Sequence, residues 1–213
     1  MAAREYGQYC GITRALELVG ERWALLIVRD LLVGPRRYGE LAAGLPRIPS
    51  NILAARLKEL QEAGILRRAP RSRVIVYELT PYGRELEPVV LALGAWGFKA
   101  LVEPREDQLL TADALAVTLR TAFRPQVAAA LPQTAYAAQL APSGLLVRVD
   151  GPTLDVVRGG GRADVAFAAG PGIQQVISGA LTPDRAIATG VVEVLGGDGA
   201  LLDRFARTFH LAA

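Results

Sequence analysis

The sequence predicts an α+β chain in two parts: a helical half that carries a basic β-hairpin, then a half that mixes strands with helices. Three observations predict it. Residues 10–96 run through helix, helix, short helix, exposed helix, hairpin and long amphipathic helix in that order. Basic side chains gather in the same stretch, where residues 34–73 hold nine Arg or Lys against three Asp or Glu. After the polar junction Glu103-Pro104-Arg105-Glu106-Asp107 the pattern changes to short apolar runs separated by turn residues.

That order of elements is the order of a winged helix-turn-helix, so the expected domains are 1–103 for DNA binding and dimerisation and 104–213 for an α+β sheet. The first helix is expected over 12–19. A second starts near Arg22 and carries Leu25, Leu26, Val28, Leu31 and Leu32 until Gly34-Pro35 stops it. Residues 38–43 read as a short helix and 44–49 as a turn. The next helix runs over 50–63, with Gly64 just past its end.

Leu53, Leu57 and Leu60 are spaced by four and three, so they share one face of that helix. At about 100° per residue the opposite side holds Asn51, Ala55, Lys58 and Glu62. Ala54 and Ala55 are small enough for the helix to sit deep in a major groove. Asn51, at the helix start, is suited to an adenine edge, Ala55 to a thymine methyl and Lys58 to a phosphate. Arg56 lies only about 60° from the leucine face, where pairing with Glu59 or Glu62 suits it as well as DNA does. A plain packing helix is the alternative.

Residues 66–69 and 74–79 read as two strands around Pro70-Arg71-Ser72-Arg73, because the run Val74-Ile75-Val76-Tyr77 favours strand. A hairpin tipped by arginines is a wing suited to the DNA backbone or a minor groove. The expected DNA-facing set is therefore Arg36, Arg37, Tyr38, Ser50, Asn51, Ala55, Lys58, Arg71 and Arg73. Thr80 then caps one long helix with Pro81 in its first turn. Its stripe Leu86, Val89, Val90, Leu93, Trp96 and Gly97 exceeds what a small core absorbs, so it is expected to pack on a second subunit.

This segment resembles the HxlR branch of bacterial winged-helix regulators, related to the MarR type. The carrying residues are Cys10, the pair Gly20 and Trp23, and the series Leu31, Gly34, Tyr38 and Leu41. Leu53, Arg56-Leu57-Lys58 and Leu60 follow, then Tyr77, Leu79-Thr80 and Gly83. The resemblance implies a homodimer on a two-fold site in double-stranded DNA. Asn51 stands where such proteins often carry Arg or Lys, and the wing is short.

In the second half, 111–123 reads as a helix with Leu115, Leu119 and Phe123 four apart. Residues 135–140, 145–150, 153–158, 163–168 and 191–195 read as strands, with Asp150-Gly151 marking an antiparallel hairpin. Residues 172–178, 183–189 and 198–209 read as helices. The string Ala163-Asp164-Val165, Gly170, Gly179, Leu181, Pro183, Ala186, Gly190, Val192, Gly196 and Asp198, with Leu201-Leu202 and Phe205, resembles the sterol-carrier-like domain. That implies an apolar cavity for a small effector, with candidate lining Phe123, Tyr136, Phe167, Ile173, Val176, Ile177, Phe205 and Phe209. A filled core used for dimerisation is the alternative.

Chemistry for catalysis is scarce, and no enzyme, metal or cofactor is expected. His210 stands alone near the C-terminus, and no Cys/His cluster has zinc spacing. Gly159-Gly160-Gly161 and Gly196-Gly197 lack the Lys-Ser/Thr of a phosphate loop and read as turns. Cys10 is the one reactive candidate. Placed at a helix start with Arg14 one turn on, it suits a thiolate, and some proteins of the resembling family use such a Cys to sense oxidants. A buried packing thiol is the plainer reading.

A single Cys fits a reducing compartment, and no charged-then-apolar leader is visible, so a cytoplasmic protein is expected. Residues 125–147 carry no charge, but Pro132, Pro142, Gln126, Gln133 and Gln139 interrupt them, so no membrane span is expected. With only Lys58 and Lys99 as lysines, the Ala/Arg bias suggests a GC-rich bacterial genome. The combined expectation is a homodimeric DNA-binding regulator controlled by a small apolar effector. Two alternatives stand beside it: a redox regulator sensing through Cys10 with a structural C-terminal domain, and a lipid-like ligand carrier with a vestigial helix-turn-helix.

Overall fold

The computed structural model describes residues 5–141 and 143–212. Pro142, expected to interrupt the uncharged stretch, lies outside the described residues. The chain divides into two compact units, Met1–Val90 and Leu91–Ala213. The division falls inside a helix, ahead of the junction at Glu103.

The first unit begins with α1 (Gly11–Val19), α2 (Ala24–Leu32), α3 (Tyr38–Gly44) and α4 (Ser50–Glu62). The hairpin β1 (Leu66–Arg71) and β2 (Val74–Leu79) follows, then α5 (Pro81–Arg84). Ile27, Val28 and Leu31 of α2, Leu41 of α3 and Leu53, Leu57 and Leu60 of α4 are buried together with Ile65, Leu66, Val76 and Leu79. The second helix differs from its expected reading. Trp23 has a left-handed backbone, φ 81°, so the helix starts at Ala24, and Leu26 is exposed. Such a conformation in a non-glycine residue costs about 1–3 kcal/mol.

The turn chemistry matches the sequence after α2 and after α4. Gly34 and Gly64 take positive φ, 148° and 70°, which only glycine adopts cheaply. Thr80 Oγ1 accepts from the Gly83 N–H at 3.1 Å and donates to the Gly64 carbonyl at 2.6 Å. Gly83 is needed there because a Cβ would come within 2.0 Å of the Ile65 carbonyl oxygen.

Two expectations fail here. β1 runs on through Pro70 to Arg71, leaving a two-residue loop, Ser72-Arg73, with Ser72 at φ 55°. Pro70 is tolerated because β1 is an edge strand. The long helix after Thr80 is broken into α5 and α6 (Glu87–Phe98). Pro88 explains the break, since its ring clashes with the carbonyl four residues back and suits a first turn.

The second unit holds α7 (Ala112–Ala122), α8 (Pro125–Ala128), β3 (Thr134–Leu140), β4 (Ser143–Asp150), β5 (Thr153–Arg158) and β6 (Val165–Ala169). It continues with α9 (Ile173–Ser178), α10 (Pro183–Ala188), β7 (Val192–Gly197) and α11 (Leu201–Thr208). The strands form one sheet in the order β5-β4-β3-β6-β7. All neighbours are antiparallel except β3 and β6, which are parallel. The uncharged stretch 125–147 thus becomes α8 and strand, and no helix among the described residues is long and apolar enough to cross a membrane.

Candidate nucleic-acid interface

The buried leucine row fixes how α4 presents its other side. With Leu53, Leu57 and Leu60 in the core, Asn51 and Lys58 are exposed, and Ala55 is half-buried beside them. Ser50 opens the helix, and its carbonyl accepts a hydrogen bond from the Tyr38 hydroxyl at 2.9 Å. Tyr38 thereby ties the start of α3 to the start of α4 and fixes the turn between them. Arg37 precedes α3, exposed, with its backbone N–H bonded to Glu40 at 2.7 Å.

Arg36 departs from its expected role. It is buried, its Nη1 donates to the Pro35 carbonyl at 2.9 Å, and its backbone exchanges two hydrogen bonds with Tyr77 at 2.9 and 2.7 Å. It lengthens the wing sheet by a bridge to β2 rather than presenting a cation. Arg56 also takes the structural option. It pairs with Glu59 one turn on and with Glu21 at 3.2 Å, which ties α4 to the corner before α2. Lys58 lies 3.7 Å from Glu62, both well exposed, an arrangement that contributes little and opens readily.

Glu78 organises the wing. It stands opposite Arg67 in the hairpin register. One carboxylate oxygen accepts from Arg67 Nε at 2.8 Å and the other from Arg71 Nη2 at 2.9 Å. The Arg71 bond first, and the Arg67 bond second, hold its carboxyl below the usual carboxylate range. Arg71 therefore shares its charge with Glu78, while Arg73 occupies the exposed tip. Glu78 was missed as a functional residue. The signal was available, because a two-residue loop at Ser72-Arg73 sets 67 against 78.

Cys10 also differs from the plainer reading. It is exposed, at the N-cap of α1. Its thiol is lowered from its ordinary value by the backbone N–H of Thr13 first and of Ile12 second. Arg14, expected to help, pairs instead with Glu17 at 3.1 Å.

The candidate effector lining falls together in the second unit, but as packed side chains. Ring centroids lie 5.9 Å apart for Phe123 and Phe209, 5.4 Å for Tyr136 and Phe205, 5.6 Å for Phe167 and Phe205, and 4.8 Å for Phe205 and Phe209. Tyr136, Phe167, Phe205, Phe209, Ile173 and Ile177 are 0% exposed, and Val176 is buried. Burial pushes the Tyr136 phenol up to about 12. Phe123, Tyr136, Phe167, Phe205 and Phe209 are thus in mutual ring contact within the second unit. His210 lies just past α11, half-buried, with its N–H on the Ala122 carbonyl at 2.9 Å.

The HxlR-like helix-turn-helix family profile matches residues 18–105. An HTH-type transcriptional regulator of Synechocystis is 34% identical over 113 residues, covering 51% of this chain and 84% of the relative. This chain belongs to the HxlR-like helix-turn-helix family. A Mycobacterium tuberculosis regulator is 45% identical over 96 residues, covering 44% of this chain. The chain spans 60% of the length of that relative. Among solved structures, the redox regulator HypR in its oxidized form matches at 30% identity over 45% of this chain and 100% of its own, with a TM-score of 0.41. The HxlR-like span takes in α2 to α6 and the wing, and leaves Cys10 outside it.

Proposed function

We propose that this HxlR-like chain is a sequence-specific transcriptional regulator that binds duplex DNA as a homodimer, with 1–103 and 104–213 as its working domains. The exposed Asn51-Lys58 side of α4, set against a fully buried leucine row, carries the reading. In it, Asn51 reads a base edge, Ala55 lies close to the groove floor, and Ser50, Arg37 and Lys58 meet the backbone. The wing contributes mainly Arg73, with Arg71 partly neutralised by Glu78.

The dimer is assigned to α6. Val89, Leu93 and Trp96 line one exposed side of the helix, with Trp96 73% exposed. Leu86 and Val90 are half-buried and buried within the chain, so they support α6 from behind. Two recognition helices in such a dimer would enter successive major grooves about 34 Å apart. Footprinting tests this. A palindromic footprint at saturation supports it, and a lone asymmetric half-site counts against it.

The second unit is proposed as a sterol-carrier-like fold serving as a packed assembly element. Turn and packing positions of the resembling string support this reading. Gly179 and Gly190 take φ of 77° and 72°, Pro183 opens α10, and Ala186 and Val192 are buried. Burial of Tyr136, Phe167, Phe205 and Phe209 in mutual contact supports the packed reading over an effector site.

A second reading makes Cys10 the sensor of the same regulator, favoured by its exposure and lowered thiol. Its test is alkylation rate against pH, with DNA binding measured before and after oxidant in wild type and Cys10→Ser. Equal oxidant sensitivity of the two proteins removes Cys10 from the account.

A further inference from the structure

We propose that a solvent-open pocket on the flank of α4 is a seat for a DNA backbone phosphate, an anchoring point beyond the recognition side of α4 and the wing. This rests on the DNA-binding reading above. The pocket encloses about 370 Å³. It is built by Glu21, Arg22 and Trp23 at the corner before α2, by Arg47 in the turn before α4, and by Ile52 and Arg56 of α4 itself.

Its place on the helix brings it beside the duplex. Ile52 follows Asn51 by one residue, about 100° round the axis, and Arg56 lies one turn further along the same side. A groove seated on Asn51 and Lys58 carries one of its strands past this flank.

The chemistry selects an anion. Three guanidiniums, from Arg22, Arg47 and Arg56, line the pocket beside one lining carboxylate, Glu21. Arg56 engages Glu21 at 3.2 Å and also pairs with Glu59, so it serves chiefly to fix the wall of the pocket. Arg56 Nε is buried and has no hydrogen-bond partner among the described residues. The Arg22 guanidinium lies 5.0 Å from the Trp23 ring centroid, a stacking that holds its planar donors in place before a phosphate arrives. No side chain caps α4, whose N-cap is Pro49 at the edge of the same pocket, so its first N–H groups add to the attraction for an anion. Trp23 and Ile52 supply an apolar floor for the adjoining sugar.

The openness of the pocket decides between ligand types. A free organic effector is held by burying most of its surface. A phosphodiester crossing an open groove needs one side covered, and contacts of that kind position a protein without reading sequence.

The test titrates Arg22→Ala, Arg47→Ala and the double variant into operator and unrelated duplex across a range of salt, with thermal unfolding as the fold control. Each single change should weaken both duplexes by the same factor and reduce the slope of log affinity against log salt by about one, and the double variant by about two. The selected sequence motif should not change, and Arg→Lys at either position should restore most of the slope. An unchanged slope in the double variant, with salt-dependent binding intact in the wild type, overturns the seat alone. A wild type without salt-dependent duplex binding overturns the DNA-binding reading as well. Calorimetry with inorganic phosphate separates a free anion from the backbone. Tight phosphate binding lost in the double variant, with DNA affinity unchanged, overturns the backbone assignment.

Discussion

Arg71 and Glu78 are joined across the wing at 2.9 Å, and the same carboxylate holds Arg67 at 2.8 Å. One anion therefore restrains two of the wing cations and leaves Arg73 at the tip as the one most open to DNA.

From this, the wing arginines should not be equivalent. Arg73→Ala should flatten the salt dependence of DNA binding by about one, and Arg71→Ala by clearly less. Titration at several salt concentrations measures both. Equal slopes for the two variants would remove Glu78 from its proposed role.

The ion pair also sets a pH dependence. The Glu78 carboxyl is lowered in the folded state, so its contribution is fully present above the unfolded value, about 4.3. It is lost as pH falls through the depressed folded value. Glu78→Gln should therefore lower the Tm at neutral pH, with the gap to wild type closing below about pH 4. A gap that stays constant down to acid would contradict the assignment.

Trp96→Ala should separate folding from assembly. The ring is mostly exposed in the single chain, so under the proposed α6 dimer the variant should keep its helical content yet lose self-association at concentrations where the wild type associates. Truncating a Trp buried in an interface costs about 3–5 kcal/mol. Sedimentation reads the result, and a Trp96→Ala dimer as tight as the wild type would move the interface elsewhere.

Phe205→Ala tests the filled core. Its ring touches Tyr136, Phe167 and Phe209, so truncation should destabilise the second unit by about 3–5 kcal/mol in denaturant unfolding. A small loss, accompanied by binding of apolar ligands to the wild type, would restore the cavity reading.

The first unit was largely legible because its signals are local. The spacing of Leu53, Leu57 and Leu60 states a period, and Gly34, Gly64 and Thr80 state where elements stop. The break at Pro88 was equally local, yet the apolar stripe around it masked the steric rule. Burial of Arg36 was not legible, since its bridge to Tyr77 joins residues far apart in sequence. The parallel pairing of β3 with β6 was hidden for the same reason, because strand periodicity carries no information about the neighbouring strand. Tyr136, Phe167, Phe205 and Phe209 are buried. Composition does not distinguish rings that line a cavity from rings that fill one, because both are apolar and turned inward.

The central claim is that the Asn51 side of α4 reads DNA sequence. Selection of bound sequences from a random duplex pool, run with wild type and Asn51→Ala, tests it most directly. The account predicts a palindromic motif for the wild type and, for the variant, the same motif with relaxed preference at one position in each half-site, worth about 1–3 kcal/mol. An unchanged motif, or no motif in either protein, would contradict it.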